Sequence, residues 1–98
     1  MSSVPADLEF EWDPEKAKAN ELAHAVLFDE AMTVFDDPLS TTVLDPKPHT
    51  DNEERWITVG TSSRQRLVVV VHCEREDRIR IISARQATRR ERIDNEER

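Results

Sequence analysis

Apolar residues in the first quarter of the chain follow first a strand period and then a helical one. Apolar and acidic residues alternate across residues 8–12, which predicts a short, half-buried strand. Asp13 and Pro14 then provide an N-cap and a proline in the first turn, as is typical where a helix begins. Four apolar residues follow at helical spacing, and we expect them to face the core as one stripe: Ala19, Leu22, Ala23 and Val26.

The spacing predicts a second, shorter helix over residues 28–35, with Phe28, Ala31 and Phe35 on one face. Beyond residue 40 the pattern changes to the two-residue period of strands. These predicted strands cover residues 41–44, 55–61, 67–73 and 78–84. Because the last three strands have short connections, they should form an antiparallel meander. Its central strand contains the apolar run of residues 67–71, so we expect it to be covered on both faces. From about Arg85 onward the pattern is helical and highly charged.

These elements predict an α+β fold: a small antiparallel β-sheet, built as a meander, with two N-terminal helices and one C-terminal helix. The 98 residues suit a single domain, 1–98, in which we expect residues 1–7 to form a flexible tail. The longest strictly apolar run has five residues, which is too short to cross a membrane. We therefore expect a cytoplasmic protein with no membrane partner.

The formal charge of −7 conceals an uneven distribution along the chain. Residues 1–54 hold three basic and 14 acidic residues, a net charge of −11, whereas residues 55–98 hold 11 basic and seven acidic residues, a net charge of +4. The total charge alone argues against a nucleic-acid partner, but a basic half is typical of a surface that binds a polyanion. A solvated surface laced with ion pairs is the alternative.

Several kinds of site are excluded by residue type and spacing. His72 and Cys73 are neighbours on a predicted strand, so their side chains point to opposite faces and cannot share a metal ion. Neither a metal site nor a cofactor is predicted, and the single cysteine excludes an intramolecular disulfide. With one glycine the chain cannot form a glycine loop that cradles phosphate, and no serine has the setting of a hydrolase nucleophile.

Arginines of the second half are the candidates for chemistry. Arg78 and Arg80 share one face of a strand, Arg85 and Arg89 follow at helical spacing, and Arg55 opens another strand of the same sheet. Guanidinium groups suit phosphates because they present paired, planar donors and stay charged. Together with a histidine or glutamate for proton transfer, such cations fit RNA cleavage by attack of the 2′-hydroxyl. Alternatively, these arginines pair with neighbouring acids, for example with those that directly precede Arg78.

Motifs in a fixed order extend over nearly the whole chain, from about residue 8 to 97. The first motifs are Phe10, Glu11, Trp12, Asp13, Lys16, Asn20, His24, Phe28, Glu30, Ala31, Phe35, Asp37 and Pro38. The later motifs are His49, Thr50, Glu53, Glu54, Arg55, Ile57, Val59, Gly60, Arg80, Ile81, Ile82, Ser83, Ala84, Arg85, Ala87, Arg90 and Glu91. In order and spacing, this series resembles the BrnT toxin family.

The resemblance implies the toxin of a prokaryotic type II toxin–antitoxin pair, with a RelE-like fold. It also implies a ribonuclease that inhibits translation, and with the arginines above we expect its mechanism to be metal-independent. The implied partners are RNA and a BrnA-like ribbon-helix-helix antitoxin, through which alone the chain would reach DNA. Trp12 is expected in the core beside the two phenylalanines of the second helix.

On this hypothesis we expect two sets of site residues. The catalytic set has phosphate-side cations at Arg55, Arg80 and Arg85, with His24 and Glu54 as candidates for proton transfer. The set that only binds RNA consists of Lys16, Arg78 and Arg89. The alternative function is a catalytically weak or inactive relative that acts as a binding partner in an antitoxin–repressor complex, and an unrelated α+β adaptor is a third hypothesis.

The departures from the family pattern support the inactive alternative. Where the family usually has Lys-His-Gly, this chain has Ala23, His24 and Ala25, so a cation beside the histidine is missing. Glycines of the family's turns are replaced by Asn52, Gln65 and Glu76. Since a left-handed backbone suits Gln65 and Glu76 less well than glycine, we expect these two turns to be longer or differently shaped.

Overall fold

The computed structural model describes residues 8–47 and 53–97, and its elements follow the predicted order. The strands are β1 (Glu9–Glu11), β2 (Thr41–Leu44), β3 (Trp56–Thr61), β4 (Leu67–Arg75) and β5 (Arg78–Gln86). The helices are α1 (Pro14–His24), α2 (Phe28–Val34) and α3 (Arg89–Glu96). The predicted α+β class is thus confirmed, while the tail at residues 1–7, His49 and Asn52 lie outside the described residues.

The five strands of the described chain form one mixed sheet in the order β1-β5-β4-β3-β2. Strands β2 to β5 are antiparallel neighbours, so the predicted meander is confirmed. Strand β1 instead runs parallel to β5, with Phe10 beside Ile79, and the prediction of a purely antiparallel sheet is wrong. The alternation of apolar and acidic residues predicts that β1 is a strand, but it does not predict the direction of that strand. The direction depends on where α1 and α2 return the chain to the sheet.

Helix α1 packs against β5, but not through the predicted apolar stripe. Leu22 is 82% exposed, and Ala19 and Ala23 are also exposed. Val26 is buried, yet it lies beyond the end of the helix. The predicted stripe is therefore wrong, and the buried residue of α1 is the polar Asn20.

The side-chain amide of Asn20 acts as a short extension of the sheet. Its Nδ2 donates to the carbonyls of Ala84 at 2.8 Å and of Val26 at 3.0 Å, while its Oδ1 accepts from the Ala84 N–H at 3.0 Å. The two bonds to Ala84 satisfy backbone groups of β5 beyond the residues that pair with β1, and the third bond holds the connection after α1. A polar residue is therefore buried here because it replaces missing strand partners.

The main core lies between α1, α2 and one face of the sheet. As predicted, Phe28, Ala31 and Phe35 are buried in it. Buried residues of the sheet in the same cluster are Val68, Val70, Ile81 and Ala84. Edge contacts between aromatic rings extend the core, with ring centroids 5.2 Å apart for Phe10 and Phe35 and 5.9 Å apart for Trp12 and Phe28.

Three turns keep the geometry of glycine turns without glycine. Gln65 has a φ of 63°, and Glu76 and Asp77 have φ values of 50° and 68° between β4 and β5. Two successive positive φ values fit the tight two-residue turn that matches the twist of a hairpin. Ala25 ends α1 with a φ of 56° in the same left-handed region. The expectation that the turns at Gln65 and Glu76 change shape is wrong, because strained side chains replace glycine there.

A buried ion pair ties α2 to the turn between β3 and β4. The Arg66 guanidinium donates to both carboxylate oxygens of Glu30, and the Ser62 hydroxyl donates to the same carboxylate at 2.6 Å. The bond to Arg66, helped by that to Ser62, holds the pKa of Glu30 below its ordinary value despite burial. Arg66 also donates to the Ala25 carbonyl at 3.1 Å, so one side chain fixes both the turn and the α1–α2 connection.

Candidate functional site

Side chains of the sheet alternate between two faces, and α1 and α2 cover only one of them. The covered face carries Val70, His72 and Ile81. The opposite face, which we call the open face, carries Cys73 and Arg80, which stand beside each other in neighbouring strands. The candidate arginines of β5, Arg78, Arg80 and Arg85, lie along this open face.

Four arginines gather at one end of the open face, and we call them the arginine cluster: Arg55, Arg75, Arg78 and Arg80. Arg75 lies opposite Arg78, and Cys73 opposite Arg80, in the pairing of β4 with β5. Arg55 directly precedes β3 and lies close enough to Cys73 to influence the pKa of its thiol. The fold thereby brings predicted residues of two distant segments together in one cluster.

Carboxylates of β1 and of the segment before β3 pair with the cluster. Arg80 Nη1 lies 2.9 Å from Glu11 Oε2, and Arg78 Nε lies 3.1 Å from Glu9 Oε2. Arg75 contacts Glu53 through two bonds of 3.1 and 3.2 Å. The alternative hypothesis of ion pairing is thus correct for these arginines, but the partners of Arg78 are in β1 rather than in the turn before it. The bond to Glu9 raises the pKa of Arg78, so this charge is permanent.

Arg85 forms a separate part of the site beside α3. Its guanidinium donates to both oxygens of Glu91, at 2.7 and 3.0 Å, and Glu91 also accepts from the Thr88 N–H at 2.8 Å. Thr88 caps α3 in return, at 3.1 Å from the Glu91 N–H. These bonds, above all that to Arg85, lower the pKa of Glu91 to about 2.

The predicted phosphate-side cations therefore belong to two groups. Arg80 and Arg85 lie on the same strand, and five residues of strand correspond to about 15 Å between their Cα atoms. Their guanidinium groups turn to different carboxylates, Glu11 and Glu91. Arg80 and Arg85 therefore do not converge on one common position of the open face.

The remaining predicted residues are scattered around the fold. Lys16 and His24 are exposed on α1, which lies on the covered side of the sheet, away from the arginine cluster. Glu54 is exposed and directly precedes Arg55. Arg89 is exposed at the start of α3. The fold thus places Glu54 beside the cluster in the chain and leaves His24 on the opposite face.

Sequence reasoning missed two members of the site, Arg75 and Glu53. Arg75 follows Cys73 by two residues, so continuing the strand alternation past the apolar run would have placed both on one face. Glu53 Oε2 also lies 3.8 Å from Cys73 Sγ. Burial, followed by the charge of Glu53, raises the pKa of Cys73, so this thiol is not an activated nucleophile.

His72 belongs to the core. Its Nε2 lies 2.7 Å from the Thr58 hydroxyl, and its ring meets the edge of Phe35 with centroids 4.9 Å apart. His72 and Cys73 do point to opposite faces, as the alternation predicts. Within residues 8–47 and 53–97, no three histidine, cysteine or acidic side chains are grouped to hold a metal ion. None of the described helices is long and apolar enough to cross a membrane.

Comparison with known proteins agrees with the motifs. A family model described as the ribonuclease toxin, BrnT, of type II toxin-antitoxin systems matches residues 12–91. The fold is similar to the crystal structure of the Brucella abortus ribonuclease toxin BrnT, with a TM-score of 0.61 and 16% identity over 84% of this chain and 99% of that chain. The search of curated proteins gives no match. Because the family model covers most of its length, the chain belongs to the BrnT family of ribonuclease toxins.

Proposed function

We propose that this chain is a toxin that cleaves RNA on the open face of its sheet without a metal ion, and so inhibits translation. The observation that carries the proposal is the arginine cluster, which lies on the one sheet face that α1 and α2 leave uncovered, in a chain that belongs to a family of ribonuclease toxins. In this function the fold is a variant of the RelE-like arrangement, and the protein works in the cytoplasm.

The proposed reaction is attack of a ribose 2′-oxygen on the adjacent phosphorus. A base takes the 2′-hydroxyl proton, the bond from phosphorus to the 5′-oxygen breaks, and an acid protonates that oxygen. Arg80 and Arg55 stabilise the additional negative charge on the phosphoryl oxygens. Arg85 binds a neighbouring phosphate, and Arg78 contributes to backbone binding together with Arg75.

Glu54 is our first candidate for the proton transfer. It adjoins Arg55 in the chain, is exposed, and lines a cavity with Trp56 and Glu74, whose strand positions belong to the covered face. RNA would therefore reach it around the end of the sheet. His24 is the second candidate, and it requires RNA to pass around the edge of the sheet, since α1 lies on the covered side. Lys16, on the same helix, and Arg89, on α3, bind RNA backbone outside the reacting phosphate.

The ion pairs of the cluster are compatible with RNA binding. The pairs of Arg78 and Arg75 are at least half-exposed on the arginine side, and exposed ion pairs are worth about 0–1 kcal/mol. A phosphate that accepts paired guanidinium bonds replaces such a carboxylate at little cost. The carboxylates also hold the guanidinium groups in place before RNA arrives, which lowers the entropy lost on binding.

A toxin of this family has an antitoxin partner. We propose that this partner is BrnA-like, with a ribbon-helix-helix part that binds DNA, so that the toxin reaches DNA only through it. Induced expression of the chain without its antitoxin should arrest growth. A doubly substituted variant, Arg80→Ala with Arg85→Ala, should relieve the arrest at equal soluble yield, whereas normal growth with abundant wild-type protein would contradict the proposal.

The second candidate function is an inactive relative that only binds the antitoxin. Two observations favour it: Ala23 stands where the family usually has a lysine, and Arg75, Arg78, Arg80 and Arg85 all have carboxylate partners. This function predicts tight antitoxin binding and no RNA cleavage by the purified protein. Restoring the cation in Ala23→Lys should then produce cleavage that the wild-type chain lacks.

A further inference from the structure

The open face contains an apolar row that is not part of the arginine cluster. Val43, Ile57 and Val71 are direct partners across β2, β3 and β4, and their side chains share the open face. Val43 is 54% exposed, and the other two are half-buried. We call these three residues the apolar row. Contiguous apolar side chains that are rimmed by charged residues are typical of interaction surfaces.

Helix α3 borders the apolar row on one side. The next row along the same strands contains Val59 and Val69, and there α3 approaches the sheet: Glu91, Asp94 and Asn95 line a cavity with Val59. Val69 is only 5% exposed under this cover. Residues of α3 thus lie near one row of the open face, while the next row is more exposed.

The arginine cluster borders the apolar row on the other side. Arg55 lies two residues from Ile57, and Cys73, which faces Arg80, lies two residues from Val71. Successive rows are about 6.7 Å apart, since each strand residue advances by about 3.3–3.4 Å. Because packed helices have their axes about 8–10 Å apart, the apolar row and the neighbouring arginine row together offer about the width that one helix needs.

We propose, on the basis of the toxin function above, that this groove binds an amphipathic helix of the antitoxin. The apolar stripe of that helix would cover Val43, Ile57 and Val71, and carboxylates on one flank would pair with Arg55 and Arg80. Such a helix would block the arginines from RNA, so one contact would explain both affinity and neutralisation. The mode is the usual one for a helix in an apolar groove, with charge selecting its orientation.

The chemistry of the groove favours a protein over RNA bases as the occupant. Bases of single-stranded RNA stack on aromatic rings or on guanidinium planes. The apolar row has no aromatic residue, and the described aromatic side chains of β1 and α2 pack on the covered side of the sheet. The aliphatic side chains of the apolar row, which lie between α3 and the arginine cluster, instead match a partner helix that has an apolar stripe with acidic residues beside it.

Two adjacent residues of β2 offer a matched test. Val43 and Leu44 are similarly exposed, at 54% and 46%, but alternate residues point to opposite faces. In calorimetric titration of the full chain with its purified antitoxin, Val43→Asn should raise Kd by about tenfold or more, as expected for a residue inside the contact. Leu44→Asn should stay within about twofold of wild type, and both variants should keep the wild-type melting temperature. A second variant, Ile57→Thr, should also raise Kd, because it keeps β-branching while removing apolar surface from the row.

RNA cleavage measured on the same samples separates this proposal from the toxin function. If Val43→Asn cleaves RNA like wild type but binds the antitoxin more weakly, the result supports the groove proposal. If Val43→Asn binds the antitoxin more weakly and wild type does not cleave RNA, the groove proposal is supported and the toxin function is contradicted. Equal antitoxin affinity of Val43→Asn, Ile57→Thr and wild type would overturn the groove proposal even if wild type cleaves RNA. So would a Val43→Asn variant that loses RNA binding but keeps antitoxin affinity.

Hydrogen exchange on the wild-type complex identifies the occupant. The protected antitoxin segment should have apolar residues at helical spacing and acidic residues along one flank. Protection of an extended or basic segment, or none near β2 to β4, would overturn the proposal.

Discussion

The buried ring of His72 predicts that the fold loses stability as the pH falls from about 6.5 toward 4. The side chain is 6% exposed, and Nε2 bonds with the Thr58 hydroxyl. Its Nδ1 is buried, and none of the described residues bonds to it, so the Nδ1–H of the doubly protonated ring would have no acceptor among them. Burial lowers the pKa of His72 to about 4, whereas an unfolded histidine titrates near ~6.5. The unfolded chain therefore binds this proton more readily than the folded protein.

The magnitude follows from linkage between protonation and folding. The contribution of neutral His72 is fully present above the unfolded pKa and is lost as the pH falls through the window between the two values. At pH 5 the loss amounts to about 2 kcal/mol, and it approaches about 3.4 kcal/mol below pH 4. At pH 5, Glu30 and Glu91 still contribute fully, because their pKa values are lowered and their stabilisation is lost only at more acidic pH.

Urea unfolding at pH 7.5 and pH 5.0 measures this loss. Wild type should lose about 2 kcal/mol of unfolding free energy between the two, and His72→Gln should lose less than about 0.5 kcal/mol, since glutamine does not titrate. His24→Gln is the matched control: His24 is exposed, and this variant should follow wild type. An equal loss in His72→Gln, or an NMR titration of the His72 ring near its ordinary pKa, would refute the reasoning.

Three further substitutions test the packing by urea unfolding at neutral pH. In Gly60→Ala the new Cβ would lie 2.8 Å from the Cβ of Ser40, so we expect a loss of about 1–3 kcal/mol, and an unchanged midpoint would mean that the Ser40 segment yields freely. In Ala25→Gly the left-handed backbone is relieved, so the unfolding free energy should rise by about 0.5–1 kcal/mol, and a decrease would contradict the assigned helix end. In Glu30→Gln the partly buried Arg66 loses its ion-pair partner, which should cost about 2–3 kcal/mol; a neutral effect would show that the pair is not structural.

Most of the sheet could be predicted from the sequence, because its outer strands alternate between apolar and polar residues and its central strand, β4, is a continuous apolar run. The bounds of β2 agree with the prediction, and β4 continues only two residues beyond Cys73, where the alternating side chains become charged. The direction of β1 could not be predicted, because it depends on a pairing between residues that are 69 positions apart. Local periodicity carries no information about such a long-range contact.

The prediction of an apolar stripe on α1 was wrong for a different reason. Helical spacing assigns apolar residues to the core, but α1 packs through Asn20, whose amide completes the hydrogen bonding of β5. The same difficulty applies to Glu30, which is buried because Arg66 reaches it from the β3–β4 turn. Both residues belong to the family motifs, so the resemblance singled them out. Their burial was still not predicted, because polar residues are normally assigned to the surface.

The candidate site was predictable in part. Alternation placed Arg78 and Arg80 on one face, and the structure adds Arg55 to them. The carboxylate partners were not predictable, since Glu11 meets Arg80 only through the parallel pairing of β1 with β5. The distance between Arg80 and Arg85 was not predictable either, because the sequence pattern ended the last strand at residue 84 and assigned Arg85 to the following helix.

Cleavage of labelled RNA by the purified chain in excess chelator tests the central claim most directly. Wild type should cleave at the same rate with and without chelator, and Arg80→Ala should reduce the rate by about 10²–10³-fold, as expected for the loss of a group that stabilises the transition state. The control is Arg90→Ala, which removes an arginine that is 85% exposed and pairs with Asp94 along α3. It should stay within about twofold of wild type. Absence of cleavage, loss of cleavage in chelator, or equal rates for Arg80→Ala and wild type would contradict metal-independent cleavage by the arginine cluster.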